Sequence, residues 1–551
     1  MKPRLAICLL TFVLCPAAPA QVPPRPFDVR AHGAVGDGTS LDTDAINRAI
    51  DAAAAAGGGT VYFSAGTYAS YSIHLKSNVA LYLDHGAVIL AAEPSADLSR
   101  GYDAPEPNPG TDQYEDFGHA HWHNSLIWGE DLENVSILGP GKIYGRGLSR
   151  GTGGTRRDLL PEERRAGAQP DLAFPAVARE AIAAQTPGPF NYPGRDTLPA
   201  GVGNKSIALK NCRNVLLRDF TVYHGGHFAL LAIGTDNFTI DNVRVDTNRD
   251  GFDIDSCRNV RIANCTVNSP DDDAICLKAC FGLGRPRATE NVTITNCQVS
   301  GFEEGTLLDG TCQPRPRGGT GRIKFGTEAN GGFKNIAISN CVFDSCFGLA
   351  LEEVDGGAME DIAITNLTMR NIDNAPIFIR LGARLRGPPP IAVGAARRII
   401  ISNVVASNVA PNHGILISGV PGHTIDDVRL NHIFIEYRGG GTKDQAAREV
   451  PELEKDYPEP GRFGILPSYG MFARHVKGLS LHGVEVRHVA DEQRPPFYLH
   501  DVTDAVFSHV KAPHAPGVPT FVLREVNGLT VRDCPGLPDT CRTDRVENER
   551  F

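Results

Sequence analysis

Two clusters of carboxylates follow each other along the chain. Asp250 stands in the motif Asn-Arg-Asp-Gly, and Asp272 lies in a run of three Asp residues, 22 positions further on. Carboxylates that a fold holds close together cannot all stay ionised at low cost, so one pKa rises and a proton donor arises beside a proton acceptor. Glycoside hydrolysis requires such a pair. Asp-rich turns and calcium sites use the same residues, and the spacing alone leaves these three interpretations open.

Repeated strands are the elements that must position these clusters. A signature of Asn, alternating β-branched residues and a second Asn with Cys recurs, most clearly at 259–267, 291–299 and 335–343. The copies that begin at residues 214, 237 and 259 are 23 and 22 residues apart. This period predicts a solenoid with one coil per repeat. The two acidic clusters then lie on successive coils, about 4.8 Å apart in backbone position.

A β-sandwich with evenly spaced strands is the alternative fold, but it gives no reason to repeat Asn-Cys at the same phase. In a solenoid, equivalent positions stack from coil to coil. We therefore expect ladders of buried Asn side chains and small core thiols at Cys265, Cys297 and Cys341. A disulfide is plausible between Cys534 and Cys541, because an exported protein can form one.

Composition and charge narrow the class of protein. The 551 residues include 59 Gly and 39 Pro, which indicates many turns, and 41% are hydrophobic, which is enough for a large core. The formal net charge of −10 argues against nucleic acid or an anionic membrane as a partner. After the N-terminal apolar run, no apolar segment is long enough to insert into a membrane. We also expect the protein to be a monomer.

Residues 1–20 have the features of a secretory signal. Lys2 and Arg4 precede an apolar run, and Ala-Pro-Ala ends at the expected cleavage site near Ala20. The mature protein is therefore expected to be secreted or periplasmic.

Residues 21–551 are predicted to form a single domain. An N-terminal cap covers about 21–75, and its one strong helical segment, 41–56, is expected to cover the first coil. Stretches rich in Pro, Gly and charge, without strand signal, predict inserted loops at about 97–123 and 145–205.

The acidic motifs resemble those of the polygalacturonase family of pectin-cleaving glycoside hydrolases. The family signature Asn-Thr-Asp-Gly matches residues 248–251 with Arg249 in place of Thr, and Gly/Gln-Asp-Asp matches residues 271–273 with Asp271 at its first position. The opening segment 27–39 also resembles the N-terminal cap of the family. The resemblance extends over nearly the whole chain. It implies an all-β fold, a single-stranded right-handed parallel β-helix of the pectin-lyase-like solenoid type.

The resemblance also implies roles for individual residues. Asp272 would be the general acid, and Asp250 with Asp273 would position and deprotonate a water molecule for a single displacement with inversion. Asn248, in the first motif, and His227, on the preceding coil, are candidate substrate-binding residues. The chain has no Cys-x-x-Cys pair, and we expect neither a metal nor a cofactor.

Two departures from the family concern the support of these carboxylates. The family carries Gly-His-Gly one coil after the Asp pair, whereas here no His occurs between His227 and His413. The family's Arg-Ile-Lys appears one coil early, as Arg322 to Lys324, at the position of that His. We predict that Arg322 and Lys324 bind substrate carboxylates or support the catalytic ones. Arg380, on the equivalent strand two coils further on, is a further candidate for substrate binding.

Three histidines alternate within the predicted loop 97–123. His119, His121 and His123 have a spacing that could bind zinc, but no carboxylate accompanies them in sequence. The alternative is a loop that brings a His or Trp122 to a sugar-binding site.

Together these features predict an enzyme that hydrolyses α-galacturonosyl bonds in pectic poly- or oligosaccharides. The long loops at 97–123 and 145–205 predict that one end of the cleft is closed and that attack is exo. A rhamnogalacturonan or rhamnogalacturonan-oligosaccharide hydrolase is the alternative in the same class, because the family His is missing. A calcium-dependent pectate lyase and a β-helical binding protein without activity are alternatives from other classes.

Overall fold

The computed structural model describes residues 27–107, 111, 114–115, 119–150, 198–316 and 318–551. The predicted signal at 1–20 and most of the predicted loop at 145–205 lie outside the described residues. Within the ranges described, no helix is long and apolar enough to cross a membrane.

The strands form one continuous sheet that winds into a solenoid. Strands at equivalent positions in successive coils pair in parallel, so the sheet has three columns. Column 1 begins with Phe27–Asp28, Gly59–Phe63, Val79–Leu83, Glu133–Leu138, Arg213–Arg218, Asp236–Asp241, Arg258–Ala263 and Thr289–Thr295. Column 2 begins with Asp37–Leu41, Gly66–Ser70, Ala87–Ala91, Lys142–Tyr144, Thr221–Tyr223, Arg244–Asp246, Thr266–Asn268 and Gln298–Ser300.

Column 3 carries the acidic motifs. Its strands are Ile73–His74, Ser125–Glu130, Lys205–Lys210, Phe228–Ile233, Asp250–Asp255, Ile275–Lys278, Ile323–Phe325, Leu349–Glu353, Ile377–Leu381 and Ile415–Ser418. In later coils columns 1 and 2 share the long strands Phe333–Asp344, Ala358–Arg370, Ala395–Val409 and Ile425–Gly439. Met471–Ala490, Phe497–Ser508 and Phe521–Arg532 bend to extend column 3 and then column 1. Thr540–Arg550 adds an antiparallel strand at the C-terminal end. The predicted parallel β-helix is confirmed.

The helix Thr43–Ala55 lies at the N-terminal end of the solenoid. Its apolar face, which includes Ile46 and Ile50, is buried against the strands Phe27–Asp28 and Gly59–Phe63. It closes the core at that end, as expected from the predicted helix at 41–56. Short helical turns occupy Val29–His32, Lys443–Ala446 and Pro460–Phe463.

A ladder of Asn side chains runs along the turn between columns 3 and 1. Asn134 Nδ2 donates to Asn78 Oδ1 at 2.8 Å, and similar bonds link Asn214, Asn237 and Asn259 in succession. The predicted ladder is present, but its expected burial is wrong, because these amides are exposed. Each Asn has a positive φ of 50–64°, which places its side chain at the outer corner of the coil.

The Asn-Cys repeats place small side chains inside the solenoid. Cys265, Cys297 and Cys341 are buried in the hydrophobic core as free thiols, as predicted. The structure describes both Cys534 and Cys541, and both are free thiols, so the suggested disulfide between them is not formed. Cys534 packs into the core, whereas Cys541 is exposed on the C-terminal strand.

Candidate active site

Both acidic motifs lie in turns that lead from column 2 into column 3. Asp250 is the first residue of its column 3 strand, and Asp272 and Asp273 precede the next strand of that column. The N–H group of Gly251 donates to the carbonyl of Asp273 at 3.0 Å, which sets the two turns side by side. One carboxylate oxygen of each of the three Asp residues therefore lies within 4.8 Å of the others. Asp250, Asp272 and Asp273 form a cluster, hereafter the Asp triad.

Two buried cations hold Asp273 as an anion. Arg322 Nε donates to Asp273 Oδ1 at 2.8 Å, and Lys324 Nζ lies 3.3 Å from Asp273 Oδ2. Burial acts to raise the pKa of Asp273, but Lys324 and Arg322 outweigh it and hold that pKa below its ordinary value. Of the two roles predicted for Arg322 and Lys324, these contacts favour support of the carboxylate.

Asp272 is the most accessible member of the Asp triad. Its side chain is 26% exposed, against 3% for Asp273. Arg249, which replaces the Thr of the family motif, donates from Nη2 to Asp272 Oδ2. Partial burial raises the pKa of Asp272 more than Arg249 lowers it, so the net shift is upward.

Asp250 is buried, and its pKa lies well above the ordinary value. Burial is the largest cause because it penalises the charged form, and the negative charges of Asp272 and Asp253 add to it. The Asp triad therefore combines one carboxyl whose pKa is lowered, Asp273, with two whose pKa values are raised. General acid–base catalysis requires such a difference.

A buried charge cluster surrounds Asp253 on the same strand as Asp250. Lys278 Nζ lies 3.4 Å from Asp253 Oδ2 and 3.3 Å from Glu328 Oε2. His119 Nε2 lies 2.9 Å from Asp253 Oδ2. The positive charge of Lys278 also lowers the pKa of every member of the Asp triad, so this cluster acts on the site electrostatically. The sequence motifs did not reveal Lys278 or Glu328, because their contacts depend on how coils stack.

The three histidines of the predicted loop do not form a zinc site. His119 contacts Asp253, whereas His121 lies 3.9 Å from Glu106, and His123 lies 3.3 Å from Glu130. His123 also lies 3.5 Å from Glu106, so His121 and His123 share that carboxylate. Among the described residues, the three histidines do not belong to a group that could hold a metal ion. The alternative, a loop that brings a histidine to the site, agrees with the position of His119.

A loop from a later coil crosses column 3 beside the Asp triad. Arg322 Nη2 donates to Glu459 Oε2 at 2.8 Å, and Lys324 Nζ donates to Tyr457 Oη at 3.3 Å. Lys324 also lies 3.6 Å from Glu352, a carboxyl whose pKa is raised by burial to about 7. Glu352, Tyr457 and Glu459 were missed in the sequence, since no motif surrounds them and they are distant along the chain.

Asn248 and His227 lie in the turns beside the Asp triad and are buried. Asn248 Nδ2 donates to Asp271 Oδ2 at 2.5 Å. The ring of His227 packs on Phe228, and its Nδ1 lies 2.5 Å from the carbonyl oxygen of Arg150. Burial lowers the pKa of His227 well below its ordinary value, so the ring is neutral. Direct contact of either residue with a substrate stays a prediction.

Arg380 is engaged in hydrogen bonds with the backbone and a hydroxyl group. Its side chain is buried, and the guanidinium group donates to Ser418 Oγ at 2.8 Å and to the carbonyls of Gly419 and Leu453 at 2.9 and 2.8 Å. Leu453 belongs to the loop that also carries Glu459. These contacts favour an anchoring role for Arg380 over the predicted contact with substrate.

The Asp triad offers one oxygen from each of three carboxylates, a set that could bind a divalent cation. Two of these carboxylates already pair with cations, Asp272 with Arg249 and Asp273 with Arg322 and Lys324. A divalent ion would add its charge beside three cationic side chains. The residues present therefore do not fit a calcium site.

Two family models match parts of the chain. A model described as rhamnogalacturonase A/epimerase, pectate lyase-like, matches residues 27–116. A model described as right handed beta helix region matches residues 200–371, in agreement with the predicted handedness.

Known proteins support the predicted resemblance to polygalacturonases. The chain is 23% identical over 373 residues to an exo-poly-alpha-D-galacturonosidase of Dickeya chrysanthemi, a match over 65% of this chain and 57% of that protein. It is 25% identical over 354 residues to a probable polygalacturonase of Vitis vinifera, over 62% of this chain and 60% of the relative. The chain thus spans less than two thirds of the length of both relatives.

A solved structure shares the fold. The family 28 exopolygalacturonase of Yersinia enterocolitica matches with a TM-score of 0.62 and 18% identity, over 90% of this chain and 79% of that one.

Proposed function

We propose that this chain is a glycoside hydrolase that cleaves α-galacturonosyl bonds of pectic polysaccharides by acid–base catalysis at the Asp triad. The observation that carries this proposal is the Asp triad itself, in which one oxygen of each carboxylate lies within 4.8 Å of the others and Arg322 and Lys324 pair with Asp273. The pKa shifts, upward for Asp272 and downward for Asp273, agree with it. The names of the relatives, an exo-galacturonosidase and a polygalacturonase, support the choice of bond. Export of the mature chain, predicted from residues 1–20, suits a polymeric substrate outside the cell.

Asp272 is assigned as the general acid. Its raised pKa favours the protonated form, and its carboxyl is the one that a substrate can reach. It donates its proton to the glycosidic oxygen as the bond to the leaving sugar breaks.

Asp273 is assigned as the base. Arg322 and Lys324 hold one of its oxygens each and keep it ionised, which is the state in which a carboxylate can accept a proton from water. Asp250, whose pKa is raised, holds the attacking water by a hydrogen bond. The nearest oxygens of the Asp triad lie within 4.8 Å, closer than the about 6.5–9.5 Å typical of inverting pairs. This separation by itself does not favour inversion. The proposal of inversion rests instead on the roles assigned to Asp250 and Asp273, and the configuration of the first product tests it.

Exo attack is the favoured direction. Two segments that the sequence identified as insertions contact the coils beside the Asp triad, where His119 bonds to Asp253 and the carbonyl of Arg150 lies against His227. These contacts are on the side of the earlier coils, which is the end that an exo-acting cleft would have closed. The name of the Dickeya chrysanthemi relative, an exo-acting galacturonosidase, supports this direction.

Hydrolysis of rhamnogalacturonan is a second candidate. The family model that matches residues 27–116 is described as rhamnogalacturonase A/epimerase, which supports this alternative. The missing family histidine and the displaced Arg-Ile-Lys support it as well.

The deciding experiment uses purified protein with homogalacturonan and rhamnogalacturonan, each with and without chelator. We expect new reducing ends, no unsaturated ends that absorb in the ultraviolet, and the same rate in chelator. Monomeric or dimeric products at early times indicate exo attack, whereas early mid-chain fragments exclude it. Unsaturated ends that disappear with chelator would assign the chain to the lyases instead.

A further inference from the structure

A cavity of about 520 Å³ opens beside Asp272. Asp271, which directly precedes Asp272, lines it together with Arg315, Thr320 and Phe347. The turn that carries Asp272 also forms its wall, because the N–H group of Thr320 donates to the carbonyl of Pro270 at 2.9 Å. The cavity is therefore built on the catalytic turn itself.

The role proposed for Asp272 indicates which side of the reacting bond this cavity serves. A general acid must face the oxygen of the leaving sugar, and the carboxyl of Asp272 is the accessible one of the Asp triad. Asp250 and Asp273 are buried, and the proposed function assigns them to the attacking water, opposite the leaving sugar. The cavity next to Asp272 is thus on the leaving-group side.

Among the described residues, Arg315 is the cation that lines this cavity, and Arg249 and Arg322 lie close to its walls; all three pair with protein carboxylates. Arg315 pairs with Asp271, and Arg249 pairs with Asp272. Arg322, whose guanidinium group lies 5.5 Å from the ring centre of Phe347, pairs with Asp273 and Glu459. Among the residues that the structure describes here, a sugar carboxylate could pair with a cation only by displacing one of these carboxylates, and it would lie beside the like charges of Asp271 and Asp272.

The remaining surface of the cavity suits an uncharged sugar. Phe347 is half-buried, and an aromatic ring binds the C–H face of a pyranose or a methyl group without requiring charge. Asp271 and Arg315 are about one third exposed and can accept from and donate to sugar hydroxyl groups.

We propose that this cavity binds the leaving sugar and selects an uncharged residue, a neutral hexose or deoxyhexose, over galacturonate. The inference rests on the proposed function, since it takes Asp272 as the acid. The position of Asp271 is then a determinant of specificity. Where the family has Gly or Gln, this chain has a carboxylate that neutralises Arg315 and repels a uronate.

The test compares two disaccharides with the same non-reducing galacturonate. One carries galacturonate as its leaving sugar, and the other carries rhamnose. We expect kcat/KM to be at least about tenfold higher for the rhamnose compound. A preference for the galacturonate compound would overturn this inference and leave the proposed function standing. Cleavage of neither compound would count against both.

Variants make the test specific to the cavity. Asp271→Asn leaves Arg315 without its carboxylate partner, so the preference for rhamnose should fall by about tenfold, mainly through a lower KM for the galacturonate compound. Phe347→Ala should raise KM for the rhamnose compound more than it lowers kcat. Asp361→Asn, which removes the carboxylate of an exposed pair with Arg398, is the matched control and should leave the ratio unchanged.

Product inhibition of the wild-type protein gives a result that needs no variant. Free rhamnose should inhibit at a lower concentration than free galacturonate. Stronger inhibition by galacturonate, or an unchanged preference in a folded Asp271→Asn protein, would overturn the inference.

Discussion

Lys324 Nζ lies 3.3 Å from Asp273 Oδ2, so a buried ammonium group on one coil neutralises a carboxylate on the coil before it. The contact exists because Lys324 pairs with Cys276 in the register of column 3, three residues after Asp273. It explains why the pKa of Asp273 is lowered although the side chain is buried, while the pKa values of Asp250 and Asp272 are raised. The ion pair between Lys324 and Asp273 therefore distinguishes the base of the proposed reaction, Asp273, from its acid, Asp272.

Replacement of Lys324 with Gln should change the pH dependence of activity. Without the ammonium group the pKa of Asp273 rises, so the base is protonated over a wider range of acid pH. The acidic limb of the kcat/KM profile should move to higher pH by about one unit or more. Lys334→Gln, which removes an exposed lysine beside Glu360, is the control and should leave the limb in place. An unmoved limb in the Lys324 variant contradicts the assignment of Asp273 as the base.

Asp272→Asn should remove the general acid. We expect kcat on pectic oligosaccharides to fall by about 10²–10⁴-fold, with an unchanged thermal unfolding midpoint. A galacturonide with a nitrophenyl leaving group should lose much less activity, because its leaving group departs without a proton. Asp361→Asn serves as the control for loss of a surface carboxylate. Equal losses on both substrates would show that Asp272 has another role.

Glu352 should make the folded state less stable as pH rises. Burial raises its pKa from an ordinary 4.5 to about 7 in the folded protein, so this carboxyl stabilises the fold fully below pH 4.5 and loses that contribution as pH rises to about 7. Glu352→Gln mimics the protonated form and should be more stable than wild type at about pH 8 by roughly 3 kcal/mol. Chemical denaturation at several pH values measures the difference. Glu547→Gln, at an exposed position, should unfold like wild type.

If parallel slopes of stability against pH were found for the wild type and the Glu352 variant, Glu352 would be ionised in the folded protein. Lys324, which lies 3.6 Å away, would then hold it as an anion.

The first sugar product should carry the inverted configuration. A water activated by Asp273 attacks the face opposite the leaving sugar, so an α-galacturonosyl bond gives the β-anomer first. Proton NMR during the first minutes of hydrolysis, before mutarotation, measures the ratio of anomers. The α-anomer as first product would indicate a covalent intermediate, and Asp273 would have to act as the nucleophile in spite of its two cations.

Much of the fold could be read from the sequence because it depends on local repetition. Asn259, Asn291 and Asn335 recur at the same phase of each repeat, and they do stack in one hydrogen-bonded ladder. The exposure of that ladder could not be read in the same way. It depends on the positive φ of each Asn, which turns the side chain to the outside of the coil.

The site was partly predictable for the same reason. Spacing alone brought Asp250 next to Asp272, since equivalent positions of successive coils must meet. The sequence left two roles open for Arg322 and Lys324, and it predicted substrate binding for Arg380, whose contacts favour an anchoring role. Charge patterns in the sequence do not show which group each cation will contact.

The sequence by itself determined the solenoid, the stacking of the acidic motifs and the resemblance to polygalacturonases, all of which depend on the order and spacing of residues. Only the tertiary structure decided which carboxyl has its pKa lowered and which have theirs raised. That choice depends on burial and on pairs such as Lys324 with Asp273 or Arg322 with Glu459, which lie 137 residues apart in the second case. Electrostatic energy depends on distances of a few ångströms in space, and separation along the chain does not encode them.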